Sequence, residues 1–131
     1  MEKKVHGCGK IGEQMIARKI PLSAATSGNG FVFVSGLPPV DWKTGELVRG
    51  DILVQTRQSL ENVKRALEEA GSSMDKVLKT TVYITNSAYF NDVNRIYAEY
   101  FPKDPPARSF ITVGSWPWEF DIEIEAIALQ G

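Results

Sequence analysis

The run FDIEIEAIAL, residues 120–129, alternates strictly, with Asp121, Glu123 and Glu125 at every second position and Ile122, Ile124 and Ala126 between them. An extended strand sorts such a pattern onto two faces, whereas a helix would scatter the carboxylates around its circumference. The chain must therefore build a sheet with at least one apolar face. FVFVSG (31–36), LKTTVYIT (78–85) and RSFITVG (108–114) are rich in β-branched and aromatic residues and read as further strands.

Two segments carry the other period. Leu53, Thr56, Leu60, Val63 and Leu67 recur at three- and four-residue steps, with Asp51 placed to cap and Gly71 to terminate. Phe90, Val93, Tyr97 and Tyr100 or Phe101 repeat the step from about Ser87, a candidate cap, to the stop at Pro102. The charges on the first of these helices read as its solvated side, with Glu61 and Arg65 spaced for an i,i+4 pair. The order of strands, helix, strand, helix and strands predicts an α+β fold with two helices on one face of a largely antiparallel sheet. With 131 residues, 43% of them hydrophobic, residues 1–131 are expected to form one domain.

Alternation also assigns faces. Val32, Val34, Leu78, Val82, Ile84, Ile111, Val113, Ile122, Ile124 and Ala126 are expected under the helices. Phe31, Phe33, Ser35, Thr81, Tyr83, Arg108, Phe110, Thr112, Asp121, Glu123, Glu125 and Ile127 are expected on the other face. That second set is too aromatic to be left in water, and two helices cannot cover both faces, so a homo-oligomer is expected to cover it.

Several function classes are disfavoured. Fifteen Lys and Arg nearly balance sixteen Asp and Glu, giving no global field for a nucleic acid. One Cys (Cys8) and one His (His6) fall short of a zinc ligand set, so no metal is expected, and HGCG at 6–9 is assigned no role. No segment is apolar for long enough to span a membrane, and a cytoplasmic location is expected.

On this assignment Arg108, Ser35 and Glu123 share the uncovered face. Arg suits a carboxylate because its planar guanidinium makes two parallel hydrogen bonds, and Glu can activate a water. An ordinary cross-strand ion pair is the alternative.

FVFVSG, then KTGELVRGDILVQTRQSLENVKRALEEAGSSMDKVLKTTVYI, FNDVNRIYAEYF, PPARS and EIEAIA, in that order over about residues 30–131, resemble the RidA/YjgF family of reactive-intermediate imine deaminases, the endoribonuclease L-PSP type. The resemblance implies a chorismate-mutase-like fold, a homotrimer and active sites between subunits. It implies hydrolysis of enamines and 2-imino acids to 2-keto acids and ammonium, without a cofactor. By the same resemblance Arg108 binds the substrate carboxylate and Glu123 positions the water, with Ser35, Gly36, Phe90 and Asn94 near the cleft. Each of these four has a plainer role open to it: a strand end for Ser35, a tight turn for Gly36, core packing for Phe90 and a helix-stabilising amide for Asn94. A non-catalytic module binding 2-keto acids is the second reading, and ribonuclease action the third.

The chain departs from the family pattern in places. Leu22 follows Pro21 where relatives carry Tyr, Leu37 replaces the usual Gln after Ser-Gly, and Phe110 replaces a small or thiol residue two past the Arg. Residues 1–20 form a divergent N-terminal segment. Leu22, Leu37 and Phe110 are expected to make the pocket more apolar and to suit a bulkier imine, such as a branched-chain, aromatic or aminomuconate-like acid. Trp116 and Trp118 are expected at the cleft rim, at a subunit contact or as buried anchors.

Overall fold

A computed structural model describes residues 2–131. Six strands form one sheet: β1 (Lys4–His6), β2 (Ala25–Gly28), β3 (Phe31–Leu37), β4 (Val77–Ile84), β5 (Ala107–Thr112) and β6 (Ile122–Leu129), in the order β1-β2-β3-β6-β4-β5. All neighbours are antiparallel except β4 and β5, which are parallel. The helices are α1 (Gly9–Ala17), α2 (Ile52–Glu69) and α3 (Phe90–Tyr100). The fold is α+β with a mixed sheet and three helices. The segment containing HGCG is ordered rather than a loose start: His6 closes β1, and Cys8 is fully buried with its N–H donating to Glu69 Oε1 at 3.1 Å. No helix among the described residues is long and apolar enough to cross a membrane.

α2 forms as its spacing predicts. Asp51 accepts a hydrogen bond from the Val54 N–H at 3.0 Å, a cap of about 1 kcal/mol, and the chain leaves the helix through Gly71 at a φ of +83°. Leu60, Val63 and Leu67 are fully buried, and such side chains contribute about 1.5–3 kcal/mol each by leaving water. Its polar side is not simply solvated. Arg57 pairs with Glu99 of α3 at 3.0 Å, and Glu61 accepts from Tyr100 Oη at 2.5 Å rather than pairing with Arg65. Ser87 caps nothing, because a 3-10 turn (Ser87–Tyr89) precedes α3 and Asn86 accepts from the Ala88 N–H.

The strand faces hold for β3 and β6 but not for the far edge. Val77 and Lys79 face Ala128 and Ile127, so Leu78 lies in a bulge and is 44% exposed instead of buried under the helices. β5 takes its phase from its parallel partner, in the register Thr80↔Arg108, Val82↔Phe110 and Ile84↔Thr112. Arg108, Phe110 and Thr112 thus lie on the helix side, and Ile111, 42% exposed, on the other. Asp121 leaves the carboxylate series as well: it bonds to Gln55 of α2 at 3.0 Å and to Thr85 at 2.9 Å. Val5, Phe33, Ile111 and Leu129 stand exposed on the side away from α2 and α3, where Thr81, Tyr83, Glu123 and Glu125 also lie.

Candidate active site

Glu123 is placed by an irregularity in its neighbour strand. β3 pairs Val34 with Ala126 and Leu37 with Ile124, so three steps on β3 match two on β6 and the bulge falls at Ser35 and Gly36. The missing side chain of Gly36 makes room for Glu123: a Cβ built there would overlap Glu123 Oε1. Gly36 is therefore needed for close approach and not for a turn. The Ser35 hydroxyl donates to the Ser23 carbonyl at 2.6 Å, which ties β3 to the segment bearing Leu22.

Glu123 and Gly36 line a cavity of about 810 Å3 together with Leu22, Leu37 and Trp118. α1 supplies another wall through Ile11 and Met15, with Arg18 at its C-terminal end. Burial first, and then the charge of Glu125 on the same strand face, pushes the Glu123 carboxyl up to about 7. Glu125 accepts from the Tyr83 hydroxyl at 3.0 Å, so its carboxylate is oriented within the sheet.

Arg108 occupies a different environment. Its guanidinium carbon lies 4.7 Å from the centre of the Tyr97 ring, 5.4 Å from Phe110 and 5.8 Å from Phe90. Phe90 and Phe110 meet edge to face at 4.8 Å, so the residue expected to make the pocket more apolar builds part of the Arg108 cage. Tyr97 is anchored in turn, its hydroxyl 2.7 Å from Thr80 Oγ1. Phe90 is 42% exposed rather than core. Asn94 falls on the same α3 stripe as Phe90 and Tyr97, and its buried Oδ1 has no hydrogen-bond partner.

The two groups do not meet within one chain. Tyr83 pairs with Glu123 and Ile111, whereas Thr80 pairs with Arg108, so the carboxyl and the guanidinium project from opposite faces. β4 separates their strands, a distance of about 10 Å at ordinary spacing. Both the shared face and the cross-strand ion pair expected from the sequence are thereby excluded. The ion pairs among the described residues are Lys10–Glu13, Arg49–Glu119, Arg57–Glu99 and Arg95–Asp92, which leaves Arg108 without a carboxylate. No cluster of three or more His, Cys, Asp or Glu side chains among these residues could hold a metal.

Trp116 stacks on Phe120 at 4.5 Å, while Trp118 lines the Glu123 cavity beneath Arg18, whose guanidinium carbon is 5.0 Å from the ring centre. The sequence signalled Trp118 but gave no sign of Arg18 or of the wall built by α1. Tyr97 was visible only as one residue of a helical stripe.

The α+β fold thus carries a half-buried carboxyl raised toward neutrality beside a cavity and, apart from it, an unpaired guanidinium caged by aromatic rings, and the family follows from comparison. The chain belongs to the family described as Endoribonuclease L-PSP, whose model matches residues 12–130. A RutC family protein of Pyrococcus horikoshii is 49% identical, covering 84% of this chain and 87% of its own. The human 2-iminobutanoate/2-iminopropanoate deaminase is 38% identical over 85% of this chain and 81% of its own. Among solved structures, the YjgF gene product of E. coli superposes with a TM-score of 0.80 at 37% identity, covering 86% of this chain and 90% of that one. E. coli TdcF with bound serine gives 0.79 at 37% identity, covering 85% and 89%.

Proposed function

We propose that the protein hydrolyses 2-imino acids and their enamine tautomers to 2-keto acids and ammonium. The observation that carries this reading is the Glu123 carboxyl, held near neutral pKa in a cavity at the close approach to Gly36. A base is most effective when its pKa lies near the working pH. With the imine nitrogen protonated, Glu123 takes a proton from water as the water oxygen bonds to C2 and the C=N pair moves to nitrogen, giving the carbinolamine. The carboxyl returns that proton to nitrogen. As the C–N bond breaks and C=O forms, the hydroxyl proton passes back to Glu123 and on to the departing ammonia, which leaves as ammonium. Arg108 grips the substrate carboxylate through two N–H groups and fixes C2 toward the water. The deaminase name of the human relative supports the same chemistry.

Arg108 and Glu123 lie on opposite faces, so the working site joins Arg108 of one subunit to the Glu123 cavity of another. The exposed row of Val5, Phe33, Ile111 and Leu129 is the surface that such an oligomer, a homotrimer in this reading, would bury. Ribonuclease action, the word in the family's description, has less support: the chain's one His, His6, is bonded to Ser27 Oγ at 2.8 Å in the β1–β2 pair.

Stopped-flow decay of 2-imino acids, generated in place by an amino-acid oxidase from alanine, leucine and phenylalanine, tests the proposal. Wild type accelerates decay, and Arg108→Ala or Glu123→Gln lowers the rate by about a hundredfold or more. Saturable binding of 2-keto acids with no acceleration on any substrate would establish the non-catalytic binding module instead.

A further inference from the structure

We infer that the Glu123 cavity accepts an extended imino acid carrying a second anionic group at its far end, and that Arg18 holds that group. The inference deepens the imino-acid hydrolase reading and rests on it. Its first support is size. A cavity of about 810 Å3 is in the range filled by drug-sized ligands, and a three-carbon imino acid would occupy a small part of it. The apolar lining from Met15, Ile20, Leu22 and Leu37 suits a methylene chain between two polar ends.

The second support is the state of the two guanidinium groups in that lining. Arg49 is spent on Glu119, at 2.7 Å. Arg18 is in none of the ion pairs of the described residues; its guanidinium carbon lies over the Trp118 ring, 5.0 Å from the centre. A guanidinium holds its donors in one plane, the geometry that grips a carboxylate with two bonds, and an aromatic face beneath it holds the cation in place. Its position is fixed through the backbone: the Arg18 N–H donates to the Gln14 carbonyl at 2.9 Å, and the start of α1 is clipped to Glu69. Glu46 also lines the cavity but is not paired with Arg18. Arg108 and Arg18 would thus hold the two ends of one substrate, with C2 presented to Glu123.

The test compares acids of equal length with and without the terminal carboxylate: 2-iminoglutarate against 2-iminopentanoate, and 2-iminoadipate against 2-iminohexanoate, all generated by oxidases. The wild-type protein is expected to favour the diacid of at least one pair by tenfold or more in kcat/KM. That ratio collapses in Arg18→Ala and is partly kept in Arg18→Lys. Equal preference in wild type, or equal loss on both members of a pair in Arg18→Ala, overturns the inference. Calorimetric titration with 2-oxoglutarate and 2-oxoadipate against 2-oxopentanoate and 2-oxohexanoate separates this from the hydrolase reading. Diacid binding that depends on Arg18 in a protein without turnover keeps the ligand class and removes the chemistry. Absence of that preference in binding as well removes the ligand class.

Discussion

The Glu123 half and the Arg108 half of the candidate site solve opposite electrostatic problems. Glu123 sits in a cavity walled by its own chain, and loss of water raises its pKa toward neutrality. Arg108 sits on the edge strand β5, half-buried, its charge laid on three aromatic faces and unopposed by any carboxylate. In the proposed mechanism one half moves a proton and the other retains a charge. They are separated by a strand and by the thickness of the sheet, so if both serve one reaction, as proposed, a single chain makes two incomplete sites. An edge strand carrying one of them is the natural place for a second chain to complete the other.

The sharpest way to break that comparison is to disable each half in a different subunit. Refolding Arg108→Ala with Glu123→Gln from a common denatured pool should restore activity that neither variant has. If each site takes Arg108 from one subunit and Glu123 from another, as proposed, roughly a quarter of the sites in a random mixture are intact. No recovery would mean that both residues serve within one chain or not at all. A smaller effect is expected from Gly36→Ala, whose new methyl displaces the Glu123 carboxylate while the cage around Arg108 stays as it is. A loss of about ten- to a hundredfold in kcat with little change in KM is expected, since misplacing a catalytic group by an ångström is enough. Near-wild-type kcat would show that Glu123 need not stand against Gly36. The smallest effect concerns pH. Glu123 must be ionised to act as base, so kcat/KM should rise as pH passes about 7. Glu125 raises that value by its negative charge, so Glu125→Gln lowers it and moves the acid limb of the profile to lower pH. An unmoved limb would assign the ionisation to another group.

The sequence made α2, α3 and the four central and far-edge strands legible because each has a period, a cap or a stop of its own. β1, β2 and α1 were not legible. β1 and β2 are only three and four residues long, and α1 buries Ile11 alone, so none displays enough of a pattern to stand out. The faces of β5 were misread for a related reason. Alternation fixes which residues share a side within a strand, but the phase between strands is set by register, which in the parallel β4–β5 pair runs unbroken from Lys79↔Ala107 to Ile84↔Thr112 and puts Arg108 beside Thr80. The site was legible as a set of residues: Glu123, Gly36, Leu22 and Leu37 share one cavity, and Arg108, Phe90 and Phe110 one cage. Their division into two sets was hidden, because it depends on a parallel pair of strands joined through α3.

The wall that α1 gives to the Glu123 cavity separates two kinds of inheritance. α2 buries nine residues and α1 one, so changes along α1 away from Ile11 and the close-packed Gly9 and Gly12 cost the fold little. Drift there remodels the ligand's surroundings while the sheet, its bulge and the carboxyl behind it stay under constraint from packing. A lineage of such proteins can diversify what it accepts without renegotiating how it folds.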